Sequence, residues 1–413
     1  MLVHEPPLPS LAQCGGGNRP RRWGLCASGR RDLSILPACM RRARSARVPG
    51  RCRGVAADAW KTGSGLVGLY DVGVMKSMFL AILLVSAAGP LALGATLDIY
   101  WIDVEGGAAT LVVTPDSETI LMDAGWPGFE GRDAERIAKV LGEEVGKLEL
   151  DYFIASHFHR DHTGGVAALA DRVPIHNFVD HGDSVEVGWN ERADELWQSY
   201  VDTAGEGRIR AEPGQRLPLA STDFVFVAAR SRFLEEPLTA ATPNPACRGA
   251  TAKRVDKGEN GKSVGFMIRV GDFEFLDLGD LTWNYEIETA CPVNLFGAVD
   301  LYQVTHHGMH TSGAPAHIQA IQPLVAVMNN GPRKGGSPAT FSALMAAESL
   351  VDLWQVHRAV ESGAEHNASE EFIANTGETE GCAAHWIKAS VQPDGQFSVT
   401  NSRTGFSKSY EPR

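Results

Sequence analysis

From Thr96 onward the sequence predicts an α/β fold, two sheets face to face with helices outside. Three observations carry that prediction. Apolar runs of strand length alternate with segments of helical period. The alternation occurs in two successive halves, each rich in strands and each closing on helices. No self-similar period of about 20–50 residues runs through the chain, which excludes a solenoid or a propeller.

The first half opens with strands at Leu97–Ile102 and Ala109–Thr114, and Thr119–Met122 completes a meander that closes at Asp123. Asp133–Glu144 follows as a helix, because Ile137, Val140 and Leu141 fall on one face. Asp151–Ser156 is a short apolar strand, Gly165–Asp171 a small helix, Ile175–Asp180 a strand and Glu191–Thr203 a helix. In the second half strands are expected at Phe224–Ala228, Ser263–Val270, Phe273–Leu278, Leu301–Thr305 and Leu324–Asn329. Helices are expected near Pro315–Ile321 and Ala339–Glu348, and the strands His385–Val391 and Gln396–Thr400 finish the chain. Residues 233–262, rich in Pro, Gly and charge, read as a long surface loop.

The composition is 44% hydrophobic, 21% charged and 8% aromatic over 413 residues. Those fractions exclude a collagen, a disordered acidic tail and a multi-span membrane protein. Charge is unevenly placed. Residues 1–74 hold eleven Arg and one Lys against four acidic groups, a net +8, so the chain's net −12 leaves −20 on the rest. So acidic a body repels nucleic acid at long range, and nucleic acid enters only as a candidate substrate.

Met75-Lys76-Ser77-Met78 leads into the apolar stretch 79–88, a Gly89-Pro90 break and Ala92-Leu93-Gly94-Ala95. That is the order of a signal peptide, with an apolar core too short to span a bilayer. The expected organisation is a non-native or disordered extension over 1–74, a signal peptide over 75–95, and one domain over 96–413. A periplasmic or secreted location follows, with no stable membrane span after cleavage. Cys14, Cys26, Cys39 and Cys52 lie in the extension without C-x-x-C pairing. The mature cysteines Cys247, Cys291 and Cys382 allow one disulfide; spacing does not fix it, and Cys247–Cys291 is the expected pair.

Ser156-His157-Phe158-His159-Arg160-Asp161-His162-Thr163-Gly164-Gly165 is the strongest chemical signal in a chain with thirteen His. It lies between an apolar strand and a helix, so it forms a tight loop at a sheet end. His157 and His159, two apart, can point the same way, while Asp161 and His162 turn toward a second point. Imidazole and carboxylate are ligands for zinc, manganese or iron. One loop cannot complete two metal spheres. The strand Phe273–Leu278 ends in Gly279-Asp280, whose carboxylate can bridge two cations about 3.5–4 Å apart. The strand Leu301–Thr305 delivers His306-His307-Gly308. The plainer alternatives are a solvated His turn, an N-capping Asp and a buried His pair.

Together, H-x-H-x-D-H-x-G-G, a strand ending in Gly-Asp and a strand ending in His-His-Gly resemble the metallo-β-lactamase superfamily. Within it the chain is most similar to a stand-alone form of the hydrolase domain of ComEC-type competence (DNA-uptake) proteins. The counterparts, over most of 97–400, are Asp103-Val104, Asp123-Ala124-Gly125, Asn260-Gly261-Lys262-Ser263, Gly279-Asp280 and His306-His307-Gly308-Met309. Met309 stands where that pattern has Ser, and Gly335-Gly336-Ser337-Pro338 where His-Pro is common. The resemblance implies a four-layer αββα sandwich of two mixed sheets. It also implies two divalent metal ions, zinc first, with manganese or iron as alternatives. His157 and His159 would hold one, and Asp161, His162 and His306 the other, with Asp280 bridging and Asp123 supporting the His loop. His181, after the strand Ile175–Asp180, is a candidate further ligand. His307 is expected to be a neighbouring proton donor, although the two adjacent histidines could exchange roles.

An exported metallo-hydrolase is the function so implied. A hydroxide held between two metals and oriented by Asp161 and Asp280 would attack a small-molecule or polymer ester. Phosphodiester or phosphoryl-ester bonds come first; a lactone, β-lactam or other ester is the alternative, and a non-catalytic binding protein of the same fold the third reading. Trp126 and Trp283 are candidates to line the site's mouth. His310, His317, His357, His366 and His385 read as surface or core histidines, and Cys382 has no recognisable catalytic setting.

Overall fold

The computed structural model describes residues 95–378 and 382–413; the expected extension and the expected signal peptide up to residue 94 lie outside them. Among the described residues no helix is long and apolar enough to cross a membrane. The chain begins one sheet with β1 (Leu97–Trp101), β2 (Thr110–Val113), β3 (Thr119–Met122), β4 (Leu150–Ile154), β5 (Ile175–Asp180) and β6 (Ile209–Arg210). It then builds a second from β7 (Asp223–Ala229), β8 (Arg232–Phe233), β9 (Gly265–Val270), β10 (Phe273–Asp277), β11 (Leu301–Gln303), β12 (Val325–Met328), β13 (Asp352–His357) and β14 (Ile373–Asn375). Finally β15 (Ile387–Val391), β16 (Phe397–Asn401) and β17 (Ser407–Tyr410) return to the first sheet beside β1. The orders are β17-β16-β15-β1-β2-β3-β4-β5-β6 and β14-β13-β12-β11-β10-β9-β7-β8. This is the αββα sandwich the sequence predicts.

Side-chain alternation makes the layers. Along β1, Leu97, Ile99 and Trp101 face the second sheet, where they meet Phe226, Phe266, Phe275 and Trp354. Tyr100 faces the other way. It joins Leu121 and Phe153 under α1 (Arg132–Lys139), α2 (Arg160–Thr163), α3 (Val166–Ala170) and α4 (Glu191–Ala204). The second sheet's outer face, with Met267, Leu276 and Ala326, is covered by α5 (Trp283–Ala290), α6 (Pro315–Ile321) and α7 (Pro338–Met345). Asn190 caps α4 by accepting from the Ala193 N–H, and Pro315 and Pro338 open α6 and α7.

Some expectations need correction. The helix expected over 133–144 is α-helical only to Lys139 and continues through 145 as a wider turn. The sequence reading did not anticipate β6, β8, β13, β14, β17 or α5. Residues 233–262 are the expected long loop, and Cys247 forms the expected disulfide with Cys291 at the end of α5.

Strand direction is what positions the site. β3, β4 and β5 are mutually parallel, and so are β10, β11, β12 and β13. The carboxyl ends of both groups deliver the polar loops described next.

Candidate metal centre

Each polar group at the centre sits where a parallel strand runs out. β3 ends at Asp123, β4 at the loop 156–165, β10 at Gly279-Asp280 and β11 at the turn Thr305–Gly308. Asp123 (φ 66°), His306 (56°) and His307 (53°) hold left-handed backbone. Asp and His are among the types that tolerate it, and only the surrounding packing keeps them there. Gly164 and Gly165 account for the end of the motif. A Cβ on Gly165 would collide with the Ala124 carbonyl oxygen, and one on Gly164 with the Pro127 ring. Only glycine lets the His loop pack beneath the Asp123 turn.

Five imidazoles turn one nitrogen inward and give the other to the protein. The outer partners are the Ser156 hydroxyl for His157 (3.0 Å), Glu186 for His159 (3.4 Å) and Asp123 for His162 (2.7 Å). His306 uses the Ser312 hydroxyl (3.1 Å) and His307 the Asn329 carbonyl (3.2 Å). Ser156 in turn donates to Asp123 from its hydroxyl (2.6 Å) and its N–H (2.9 Å). Such outer partners fix tautomer and ring orientation in metal sites.

Inward, His157 Nε2 lies 3.0 Å from His159 Nδ1, and His162 Nε2 lies 3.1 Å from His307 Nε2. Asp280 Oδ2 is at the middle, 3.1 Å from His162 Nε2, 3.4 Å from the Nε2 atoms of His306 and His307, and 3.9 Å from that of His157. Asp161 Oδ2 lies 3.1 Å from His162 Nε2 and 3.3 Å from His307 Nε2. Ligand atoms of Asp161, His162, Asp280 and His307 all fall within 4.8 Å of one another. The Lys334 ammonium also contacts Asp161, and lies 5.5 Å from the centroid of the Trp126 ring.

These contacts set the electrostatics. Against burial, Asp280, Asp161 and Asp123 push His162 well above the ordinary imidazole range. Burial, with His162 and His159 nearby, pulls His157 well below it. Despite burial, His162, His307 and His306 hold Asp280 far below the usual carboxylate range, and His162 and Lys334 do the same to Asp161. Inward lone pairs and carboxylates thus converge on a space that requires positive charge, which a protonated His162 and Lys334 supply when no cation does. The donor set fits a pair of divalent cations.

Of the residues named from the sequence, His157, His159, Asp161, His162, Asp280, His306 and His307 come together, with Asp123 directly behind. His181 does not. Its Nε2 lies 2.8 Å from Glu259 Oε2, and its ring packs on Phe158. Against burial, that partnership lowers Glu259 to about 2. Glu259 also accepts from the Phe158 N–H, so it braces the His loop from the side (2.9 Å). Trp283 is engaged elsewhere: its N–H donates to the Thr251 carbonyl (2.8 Å), and Lys253 lies over its ring. A groove of about 610 Å³ lined by His159, Arg160, Glu186, Asn190 and Leu196 adjoins the centre. Glu186, Glu259 and Lys334 carry no motif signal. Ser156 was visible only as the residue before the first His.

Residues 102–241 match a family model described as the metallo-beta-lactamase superfamily. Among solved structures, a Cronobacter sakazakii (Enterobacter sakazakii) metallo-beta-lactamase with a HARLDQ motif is 17% identical at a TM-score of 0.28, covering 44% of this chain and 60% of that one. CmlA, a diiron beta-hydroxylase from Streptomyces venezuelae, is 14% identical at a TM-score of 0.31, covering 56% of this chain and 44% of that one. MEM-A1, a subclass B3 metallo-beta-lactamase from a soil metagenome library, is 16% identical at a TM-score of 0.30, covering 64% and 76%. The chain thus spans less than two thirds of the first two structures' lengths. No curated protein matches it. The segment 102–241 that resembles the metallo-beta-lactamase superfamily model takes in Asp123 and the His loop, and the sandwich and the strand-end histidines agree with an enzyme domain of that type.

Proposed function

We propose that the protein is an exported metal-dependent hydrolase of phosphodiester or phosphoryl-ester bonds, functionally close to the ComEC-type hydrolase domain. The observation that carries this reading is the Lys334 ammonium on Asp161, at a centre of five inward imidazoles. A cation beside the metal-binding carboxylates suits a substrate that brings its own negative charge.

His157 and His159 would hold one divalent ion, zinc first, and Asp161, His162 and His307 the other, with Asp280 between them. Bound there, the pair supplies Lewis acidity and an activated water. The chain's own groups do the rest. Asp123, directly on His162 and through Ser156 on His157, keeps the outer ring nitrogens protonated and the inner lone pairs facing in. Lys334, once Asp161 is engaged, is free to bind an anionic oxygen of the substrate. His306, whose Nδ1 rests on the Ser312 and Thr311 hydroxyls, is placed to hold, as acceptor at Nε2, a water that passes its proton to the leaving oxygen. Export is supported by the Cys247–Cys291 disulfide, which suits an oxidising compartment, together with the signal-peptide order after Met75.

Metal-loaded protein incubated with bis-p-nitrophenyl phosphate, nitrocefin and a chromogenic lactone tests the reading. Turnover of the diester alone is expected. Lactone or nitrocefin turnover without diester cleavage would give the site to ring-opening hydrolysis. Bound metal with no turnover of any of the three would favour a binding protein.

A further inference from the structure

We propose that Asp103, His357 and Cys382 form a second cation site, for one zinc-type divalent ion, sharing no residue with the His–Asp centre. The donors come from remote points of the chain. Asp103 follows β1, His357 ends β13, and Cys382 precedes β15. His357 Nε2 lies 2.8 Å from Asp103 Oδ1. Cys382 Sγ lies 3.1 Å from Asp103 Oδ2 and 3.9 Å from His357 Nε2. Asn375, at the end of β14, adds a carbonyl oxygen 3.5 Å from that sulfur. One sulfur, one imidazole nitrogen and two oxygens make the donor number and chemistry that zinc takes.

Charge and access agree with this. A divalent ion with one carboxylate and one thiolate is a neutral site, and Asp103 and His357 are both fully buried. Binding releases the Cys382 thiol proton to solvent and takes His357 at Nε2, with the ring proton on Nδ1, an atom without another hydrogen-bond partner. Arg136 does not block the site. Its guanidinium stays tied to the Asp103 carbonyl (3.1 Å) and to Glu105 (2.9 Å) if its 3.3 Å contact with the Asp103 carboxylate loosens. Cys382 lines a cavity of about 750 Å³ between α1 and the C-terminal strands, with Arg136 and His385 also on its wall. None of the His–Asp centre's residues line that cavity. An ion held here joins the end of β1 in one sheet to the ends of β13 and β14 in the other, clipping the sandwich together.

The full chain, stripped of metal and reloaded with Co2+, tests this by absorption. Cobalt bound to a thiolate gives an intense near-ultraviolet charge-transfer band, and the His–Asp centre offers no sulfur. The band is expected in the wild type and in His157→Ala, and diminished in C382S and His357→Ala, with one cobalt fewer per chain in C382S. Cysteines before residue 75 make the C382S difference the decisive comparison. A second readout needs no variant: Zn2+ should slow alkylation of Cys382 in the wild-type chain by about tenfold or more, measured by peptide mass spectrometry. No sulfur band, a band of equal intensity in wild type and C382S, or alkylation of Cys382 equally fast with and without zinc would overturn the proposal.

Discussion

His162 Nδ1 lies 2.7 Å from Asp123 Oδ2, and the same carboxylate oxygen accepts the Ser156 hydroxyl at 2.6 Å. One carboxylate therefore decides which His162 nitrogen faces the metals. An amide in its place offers N–H where an acceptor is needed and favours the wrong tautomer. Asp123→Asn keeps a residue type that tolerates φ 66°. It is expected to weaken metal binding about 10–100-fold, measured by chelator competition, with the fold unchanged by circular dichroism.

Lys334 competes with a cation for Asp161 and then serves an anionic substrate, so its removal should split two properties. Lys334→Met should tighten metal binding while lowering kcat/KM on bis-p-nitrophenyl phosphate about 10–100-fold, as expected for losing a charged hydrogen bond. A fall in both, or in neither, would show that Lys334 is only a structural partner.

The adjacent histidines should separate as well. His307 lies in the four-residue group with Asp161, His162 and Asp280, so His307→Ala should lose one metal equivalent by elemental analysis. His306→Ala should retain both metals and lose turnover, most strongly for esters with poor leaving groups. The reverse pattern would restore His306 to the ligand role the resemblance gave it.

Beneath the centre, burial pushes the Asp277 carboxyl up to about 8; one oxygen accepts the Gly279 N–H, and the other has no partner. A pKa raised above its unfolded value contributes stability that is complete below the ordinary carboxylate range. That stability is lost as pH rises through about 8. Metal-free wild type should therefore weaken from just above the ordinary carboxylate range up to pH about 8, and level off beyond it, by at most about 1.4 kcal/mol per pH unit for one proton. Asp277→Asn should flatten that slope in urea denaturation measured across the range.

The disulfide closes a loop with 44 residues of sequence separation between Cys247 and Cys291. Reduction should cost up to about 4 kcal/mol of unfolding free energy, read as a lower urea midpoint with dithiothreitol. An unchanged midpoint would mean that the loop is held by its other contacts.

What the sequence disclosed, and what it hid, follows physical lines. H-x-H-x-D-H, Gly279-Asp280 and His306-His307 were legible because each occupies consecutive residues at a strand end. Lys334 was not, since it reaches Asp161 across 173 residues from a glycine-rich turn. β13 was missed because five of its six residues are buried, so Gln355 and His357 lie inside and no apolar–polar alternation marks it. α5 was missed because it turns Glu286 and Thr289 inward, where Glu286 accepts the Gly313 and Ala314 N–H groups (3.0 and 2.8 Å). β17 is a short polar edge strand with little to announce it. His357 and Cys382 read as unremarkable singly, because only the folded chain brings them to Asp103.

The segment 183–190, with Trp189 58% exposed, and the turn 331–336 both follow strand termini, and neither contributes to the interleaved apolar interior. Selectivity can therefore drift at the exposed positions of these tips, Val187 and Trp189 first, while Glu186, Lys334 and the glycines on His307 stay fixed and the scaffold stays thermally indifferent. Exchanging only those exposed positions between homologous chains should exchange preferences without altering melting behaviour.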